Sequence, residues 1–325
     1  MVGDSLRIGR WTHSETIMEA IRNFESVRRV VIKVGTNVLS AGGAVDEGFI
    51  DVIAKQIAAL RETGRQVILV TSGAIGMGAG ALALGKPPKT VKLRQACAAV
   101  GQGILMHAYR QSFERTGQQV AQVLLTNAIL SNRKLYVNLK NTVETLLGLG
   151  VVPIVNENDC VSVAEIDLAF GDNDKLSALV ASKIDAELLI MLTDVDGLYD
   201  SNPRRSQAAR LIPTVYEVTD EIDAMAGHAG SQLGTGGMQT KLDAIRIAAQ
   251  GGCKVVLANG RTDDIIGRVV AGEMAGTLFM PKRRLSNRRR WILNSPARGR
   301  LVVDSGARAA ILAHRSLLAV GIESV

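Results

Sequence analysis

A chain of 325 residues, 47% hydrophobic and 21% charged, has enough apolar side chain for one large or two medium domains, which excludes global disorder. Aromatic residues are only 3% while Ala, Val, Ile, Leu and Gly abound, a balance that suits a helix-covered sheet rather than a β-sandwich. The net charge of +7 sits in the tail: residues 281–325 carry ten Lys or Arg against two Asp or Glu, a net of +8, and the first 280 residues, with 28 basic and 29 acidic side chains, carry −1.

Residues 1–27 mix Arg7, Arg10 and Arg22 with Asp4, Glu15, Glu19 and Glu25 and lack the apolar centre of a secretory signal. They read as a loosely packed N-terminal extension in which Ile17, Ala20, Ile21 and Phe24 have the spacing of a short amphipathic helix. Cys97, Cys160 and Cys253 lie far apart without a C-x-x-C pair, which argues against a disulfide framework and predicts a reducing, cytoplasmic setting. No apolar run approaches the roughly 20 residues of a membrane span, so no membrane partner is expected.

From residue 28 onward, short apolar runs alternate with helical patterns. Strands are predicted at 30–34, 66–70, 120–125, 151–156, 188–192 and 254–258, and helices at 49–62, 133–147 and 174–184. A further helix follows the glycine turn Gly234-Thr235-Gly236-Gly237, with Met238, Leu242, Ile245 and Ala249 on one face and Gly251-Gly252 as its stop. Strand alternating with helix predicts an α/β fold: a three-layer αβα sandwich with a mainly parallel central sheet. Ligands bind such sheets beyond the carboxyl ends of the strands. Small, polar or acidic residues follow five of the predicted strands there: Gly35-Thr36-Asn37, Thr71-Ser72-Gly73, Asn156-Glu157-Asn158-Asp159, Thr193-Asp194 and Asn259-Gly260-Arg261. Near residue 281 the pattern changes to a basic stretch, with short strands expected at 291–293 and 301–303 and a helical turn at 307–313. The chain therefore divides into an extension at 1–27, a main domain at 28–280 and a small basic unit at 281–325.

The chemistry follows from residue type and place. A glycine turn running into a helix aims backbone N–H groups and a partial positive charge at a bound anion, and Lys241, one turn inside, adds a full charge. Ser72 and Gly73 would form a second anion cradle at a helix start. Neither matches G-x-x-x-x-G-K-[ST] or G-x-G-x-x-G. Lys33 is a cation at the end of an apolar strand, a costly placement unless it is paired or used. Amides and carboxylates at 156–159 and in Gly171-Asp172-Asn173-Asp174 can hold amino and carboxyl groups at once, or Mg²⁺ through oxygen. The four histidines are scattered and no G-x-S-x-G elbow is present. These parts suit phosphoryl transfer from a nucleotide to a small polar acceptor.

At this point the motifs resemble those of a known family. Ile32-Lys33-Val34-Gly35-Thr36, Val70-Thr71-Ser72-Gly73-Ala74-Ile75, Asn156-Glu157-Asn158-Asp159, Phe170-Gly171-Asp172-Asn173-Asp174, Leu192-Thr193-Asp194 and the turn from Gly234 through Lys241 are similar, in order and spacing, to those of the amino acid kinase family, over about 29–280. Within it they resemble the branch that phosphorylates the side chain of L-glutamate. The resemblance implies ATP and Mg²⁺ as cofactors and an acyl phosphate product that enters proline synthesis. It implies Lys33, Asp174 and Lys241 as catalytic residues, with Asp174 organising the lysines and the metal, and leaves the metal ligands unassigned. It implies Ser72, Asp159 and Asn173 against L-glutamate. Around ATP it implies Lys33, Gly35, Thr193, Asp194, Thr235, Gly236, Gly237, Met238, Gln239, Thr240 and Lys241. It further implies a homo-oligomer, feedback inhibition by proline and a downstream reductase. The tail is similar to about half of the PUA domain that many of these kinases carry, and Asn37 stands where serine is common. Two alternatives remain: a kinase of the same family with another acceptor, and RNA binding through the basic tail.

Overall fold

The computed structural model describes residues 21–41, 44–161, 173–203, 206, 208–228, 237–282, 285–286, 289, 300–313, 315–318, 320 and 322–324. The first half runs β1 (Arg29–Val34), α1 (Thr36–Leu39), β2 (Ser40–Ala41), β3 (Ala44–Val45), α2 (Glu47–Glu62), β4 (Gln66–Val70), α3 (Ala74–Ala81), α4 (Val91–Glu114), β5 (Gln119–Leu125), α5 (Asn127–Ser131), α6 (Arg133–Gly148) and β6 (Val151–Glu157). The second half continues with α7 (Asn173–Lys183), β7 (Leu188–Thr193), β8 (Thr214–Val215), α8 (Asp220–His228), α9 (Met238–Gln250), β9 (Lys254–Asn259), α10 (Ile265–Val270) and β10 (Thr277–Phe279). Past them lie β11 (Val302–Val303), α11 (Ser305–Leu312) and β12 (Ile322–Ser324).

Eight strands form one sheet in the order β5-β6-β4-β1-β7-β9-β10-β8. Neighbours from β5 to β9 are parallel, and β10 turns antiparallel against β9. Side chains alternate across a strand. Val30, Ile32 and Val34 therefore face one helical layer, built from α2, α4 and α10, while Val31 faces the other, built from α6, α7 and α9. That is the predicted αβα sandwich, and its apolar strands are buried because helices cover both faces. Local signals set the helix starts: Asp46 accepts from the Phe49 N–H at 3.0 Å, and Asn132 accepts from Lys134 and Leu135.

Three features depart from the expectations. Strands β8 and β10, of two and three residues, are too short to leave a period in the sequence. Helix α4 has 24 residues, but its inner face is partly small, with Cys97, Ala98 and Gly101, and gives a weak apolar stripe. Small residues are needed there because a Cβ on Gly78 would lie 1.8 Å from the Cys97 carbonyl oxygen and one on Gly101 would lie 1.8 Å from that of Ala74. Helices α3 and α4 thus touch backbone to backbone. The third departure is the extension, whose end is not loosely packed. Arg22 is 1% exposed and donates to the carbonyls of Pro213 (2.7 Å), Glu273 (2.7 Å), Ala275 (3.3 Å) and Gly276 (3.0 Å). Phe24 and Val27 join the core, and Lys254 Nζ donates to the carbonyls of Ile21 and Asn23. Ile17 and Ala20 of the expected helix lie outside the described residues.

In the tail, β11 pairs antiparallel with β12, and Asp304 caps α11. The strand expected at 291–293 lies outside the described residues.

Candidate active site

Two lysines meet one carboxylate where the strands end. Lys33 comes from the last turn of the pleat in β1, Lys241 from the first turn of α9 and Asp174 from the first turn of α7. Lys33 Nζ lies 2.5 Å from Asp174 Oδ1, and Lys241 Nζ donates to Asp174 Oδ2 at 2.9 Å. Asp174 is fully buried and both lysines are buried with it. Burial pushes the Asp174 carboxyl up, but the charges of Lys33 and Lys241 and their hydrogen bonds outweigh it and hold the group lower than an ordinary aspartate. The cluster carries two cations against one anion, a surplus of positive charge suited to a polyanion.

Beside it stands a wall of amides. Gly73 caps α3 with φ of 98°, a left-handed conformation that glycine adopts without strain, and so turns Ser72 toward the sheet end. Asn173 Nδ2 lies 2.7 Å from the Thr71 carbonyl, 2.9 Å from Ser72 Oγ and 3.0 Å from Asn156 Oδ1. Asn156 Nδ2 donates in turn to Gln102 Oε1 at 2.8 Å. Thr71 Oγ1 is 2.8 Å from the buried Tyr109 hydroxyl, whose ionisation burial suppresses. Asp159 sits in the turn after β6, where burial pushes its carboxyl up and the nearby Arg94 partly offsets this.

On the other side of the lysines lie the ends of β1 and β7. The Gly35 N–H donates to the Leu192 carbonyl at 3.1 Å, and a Cβ on Gly35 would stand 3.4 Å from Lys33 Nζ. Asp194 accepts from Asn37 Nδ2 at 3.2 Å and from Thr193 Oγ1 at 3.1 Å. Burial raises its pKa, and these bonds, with the Lys241 charge, bring it lower than usual. Gly237 caps α9 with no side-chain bond across the helix start. Thr240 Oγ1 donates back to the Gly237 carbonyl at 2.8 Å, and Gln239 Nε2 donates to Asp223 at 3.1 Å. Met238 packs on the inner apolar cluster. The side chains of Met238 and Gln239 therefore point into packing and toward α8, and what these two residues offer a ligand is their backbone. Thr235 and Gly236, expected around ATP, lie outside the described residues.

A profile of the amino acid kinase family matches residues 28–259. The chain belongs to the amino acid kinase family. It is 46% identical to the glutamate 5-kinase of Methanosarcina mazei over 311 residues, which are 93% of this chain and 81% of that one. It is 48% identical to the glutamate 5-kinase of Methanococcoides burtonii over 299 residues (91% and 80%) and 45% identical to that of Geobacter sulfurreducens over 304 residues (92% and 81%). Among solved structures, the UMP kinase from Bacillus anthracis superposes with a TM-score of 0.53, covering 80% of this chain and 98% of that one at 17% identity. At that identity the likeness speaks for the fold.

As in any amino acid kinase that uses a nucleotide, a divalent ion has to be weighed. Among the described residues no three His, Cys, Asp or Glu side chains cluster to hold a metal. Mg²⁺ is ordinarily held by one or two carboxylates, water and the substrate's own phosphates, and the Asp194 carboxylate at the end of β7 is a donor of that kind. The structure brings Lys33, Asp174 and Lys241 together, and Ser72 with Asn173. Gln102 and Tyr109, mid-helix in α4 without a motif of their own, were not among the residues expected from sequence, nor was the bond from Asn37 to Asp194. A polar Gln between Gly101 and Gly103 on a buried helix face was the one signal available.

Proposed function

We infer that the protein transfers the γ-phosphoryl group of ATP to the side-chain carboxylate of L-glutamate, giving ADP and an acyl phosphate. The observation that carries the reading is the bridged pair: Lys33 and Lys241 on the two oxygens of Asp174, at the ends of the strands and beside an amide-lined wall. The glutamate 5-kinase relatives supply the acceptor.

A carboxylate nucleophile is already anionic, so no base is needed to make it. The obstacle is bringing it to a polyanionic phosphate. Lys33 and Lys241 reduce that repulsion and stabilise charge that builds on the transferring group, and the α9 start adds backbone N–H groups. One carboxylate oxygen forms the bond to Pγ as the bond from Pγ to the bridging oxygen breaks, and that electron pair leaves with ADP. Asp174 is spent on the lysines and has no proton to take; it holds both cations in line, which is where positioning contributes most. Ser72, Asn173 and Asp159 hold the amino acid, and Gly35, Thr193, Asp194 and the turn at 235–241 hold the nucleotide. Mg²⁺ bound with the nucleotide would supply further charge neutralisation.

The same reading makes the product, a mixed anhydride that water hydrolyses, the substrate of a reductase, and places the step at the entry to proline synthesis with proline as feedback inhibitor. It also takes the protein to be a cytoplasmic homo-oligomer whose residues 281–325 form a small separate unit. The free cysteines and the lack, among the described residues, of any helix long and apolar enough to cross a membrane support the setting.

The deciding assay is ADP release from Mg²⁺-ATP with and without L-glutamate, with hydroxylamine to trap the acyl phosphate. Glutamate-dependent ADP together with a hydroxamate is expected; ADP release indifferent to glutamate would overturn the acceptor.

A further inference from the structure

The turn after β4 and the polar end of β6 are joined by a chain of side-chain amides whose direction is set by two backbone groups. The Glu157 N–H can only donate, and it donates to Asn156 Oδ1 at 2.9 Å. The Thr71 carbonyl can only accept, and it accepts from Asn173 Nδ2 at 2.7 Å. Asn156 therefore turns its Nδ2 the other way, to Gln102 Oε1 at 2.8 Å. Asn173 keeps its Nδ2 inward, where Ser72 Oγ and Asn156 Oδ1 also face it. Half a rotation of either amide would set oxygen against oxygen in a buried place, the arrangement that proteins avoid most consistently.

Gln102 closes this chain. It is 7% exposed, its Oε1 is taken by Asn156, and its Nε2 is buried without a partner among the described residues. An unmade buried donor is a standing cost, and helix α4 cannot swing away to relieve it. Gly101, the residue before it, already lies so close to α3 that a Cβ would meet the Ala74 carbonyl at 1.8 Å. The backbone contact that seats Gln102 is thus the same one that seats the Ser72-Gly73 turn.

Building on the amino-acid-site reading above, we propose that Gln102 is a positioning residue that, through Asn156, steadies the Asn173 amide in the orientation its backbone partner sets. With Nδ2 held inward, Asn173 presents Oδ1, an acceptor, and so selects a protonated α-amino group. Ser72, whose oxygen accepts from Asn173, has its hydroxyl hydrogen left for a substrate carboxylate. Gln102 acts through Asn156 and Asn173, and its effect is on the choice of amino acid rather than on phosphate chemistry.

The test compares L-glutamate with glutarate, the same diacid lacking the amino group, in wild type, Gln102→Leu and Gln102→Glu, with the KM for ATP as internal control. Gln102→Leu removes the acceptor for Asn156. It is expected to raise the KM for L-glutamate and to cut the preference for L-glutamate over glutarate, each about tenfold or more, with the KM for ATP nearly unchanged. Gln102→Glu retains an acceptor oxygen and is expected to keep the preference. A Leu variant with wild-type preference, or one that weakens glutamate and ATP alike, would overturn the inference. Where Gln102→Leu does not fold, Gln102→Met, of nearly the same length and also without the acceptor, takes its place: a lost preference supports the inference, and a wild-type preference in the folded Met variant defeats it. Failure of the underlying reading shows separately, as wild type that does not turn over L-glutamate.

Discussion

Lys33 reaches Asp174 at 2.5 Å across the boundary between the sheet and a helical layer, and the same carboxylate takes Lys241 on its other oxygen. Removing either lysine leaves its partner held but halves the positive charge that meets the phosphates. Lys33→Ala and Lys241→Ala are each expected to lower kcat by about 10²- to 10³-fold or more, the scale of a lost transition-state donor. Steady-state kinetics at saturating ATP and L-glutamate check this. Near-normal turnover in both variants would dismiss the pair as catalytic.

The same ion pair sets a pH response. Burial raises the Asp174 pKa, and Lys33 and Lys241 overturn that and leave it lowered. A carboxyl more acidic in the folded state contributes stability at pH values higher than its unfolded pKa, roughly 3.9 for Asp, and loses it as pH falls through the folded value. Asp174→Asn strands two buried cations and is expected to cost about 3–5 kcal/mol near neutrality. The gap between wild type and variant should narrow as pH falls through about 4 and lower. Urea unfolding as a function of pH measures it, and a gap that stays constant in acid would remove Asp174 from the linkage.

Asp159 carries the opposite shift. Burial raises its pKa in the folded chain, so its charged form is held at a cost that disappears as pH falls through the folded value. Asp159→Asn is therefore expected to raise Tm at neutral pH while raising the KM for L-glutamate about tenfold or more, because the substrate's ammonium loses a counter-charge. A variant with unchanged Tm and unchanged KM would remove Asp159 from the substrate wall.

Where α3 meets α4, two glycines in neighbouring turns should behave differently. A Cβ on Gly101 would lie 1.8 Å from the Ala74 carbonyl, whereas one on Gly76 meets nothing within 4 Å. Gly101→Ala should destabilise by about 1–3 kcal/mol or more through forced separation of the helices, and should weaken L-glutamate binding because the Ser72-Gly73 turn moves with α3. Gly76→Ala should be neutral or stabilising by roughly 0.5–1 kcal/mol, the helix preference for alanine. Chemical denaturation of the two variants side by side checks the contrast.

Much of this was legible in order of residues alone. The central strands are unbroken runs such as Val30–Ile32 and Leu188–Leu192, buried on both faces, so their apolar content announces them whatever the surroundings. The glycine turn before α9 and the lysine at the end of β1 are local signals too, because each breaks the pattern of its own element. A strand period and a helix period need only a few neighbouring residues to be read.

Contact across elements is a different quantity. That Lys33 and Lys241, more than two hundred positions apart, share one carboxylate depends on β1 ending and α7 and α9 starting at the same edge, and sheet order decides that. The burial of Arg22 among four carbonyls depends on where the chain enters β8 and β10, which no pattern within residues 21–27 records. Gln102 is ordinary as a residue in a helix; only the glycine contact of α4 with α3 brings it to Asn156 and gives its amide a direction. The sequence by itself determined the layers and the kinds of group at the strand ends, because burial and backbone conformation act locally. The tertiary structure decided which of those groups share a proton, a charge or an oxygen, because electrostatics and hydrogen bonding act through distances of about 3 Å that only the folded chain brings about.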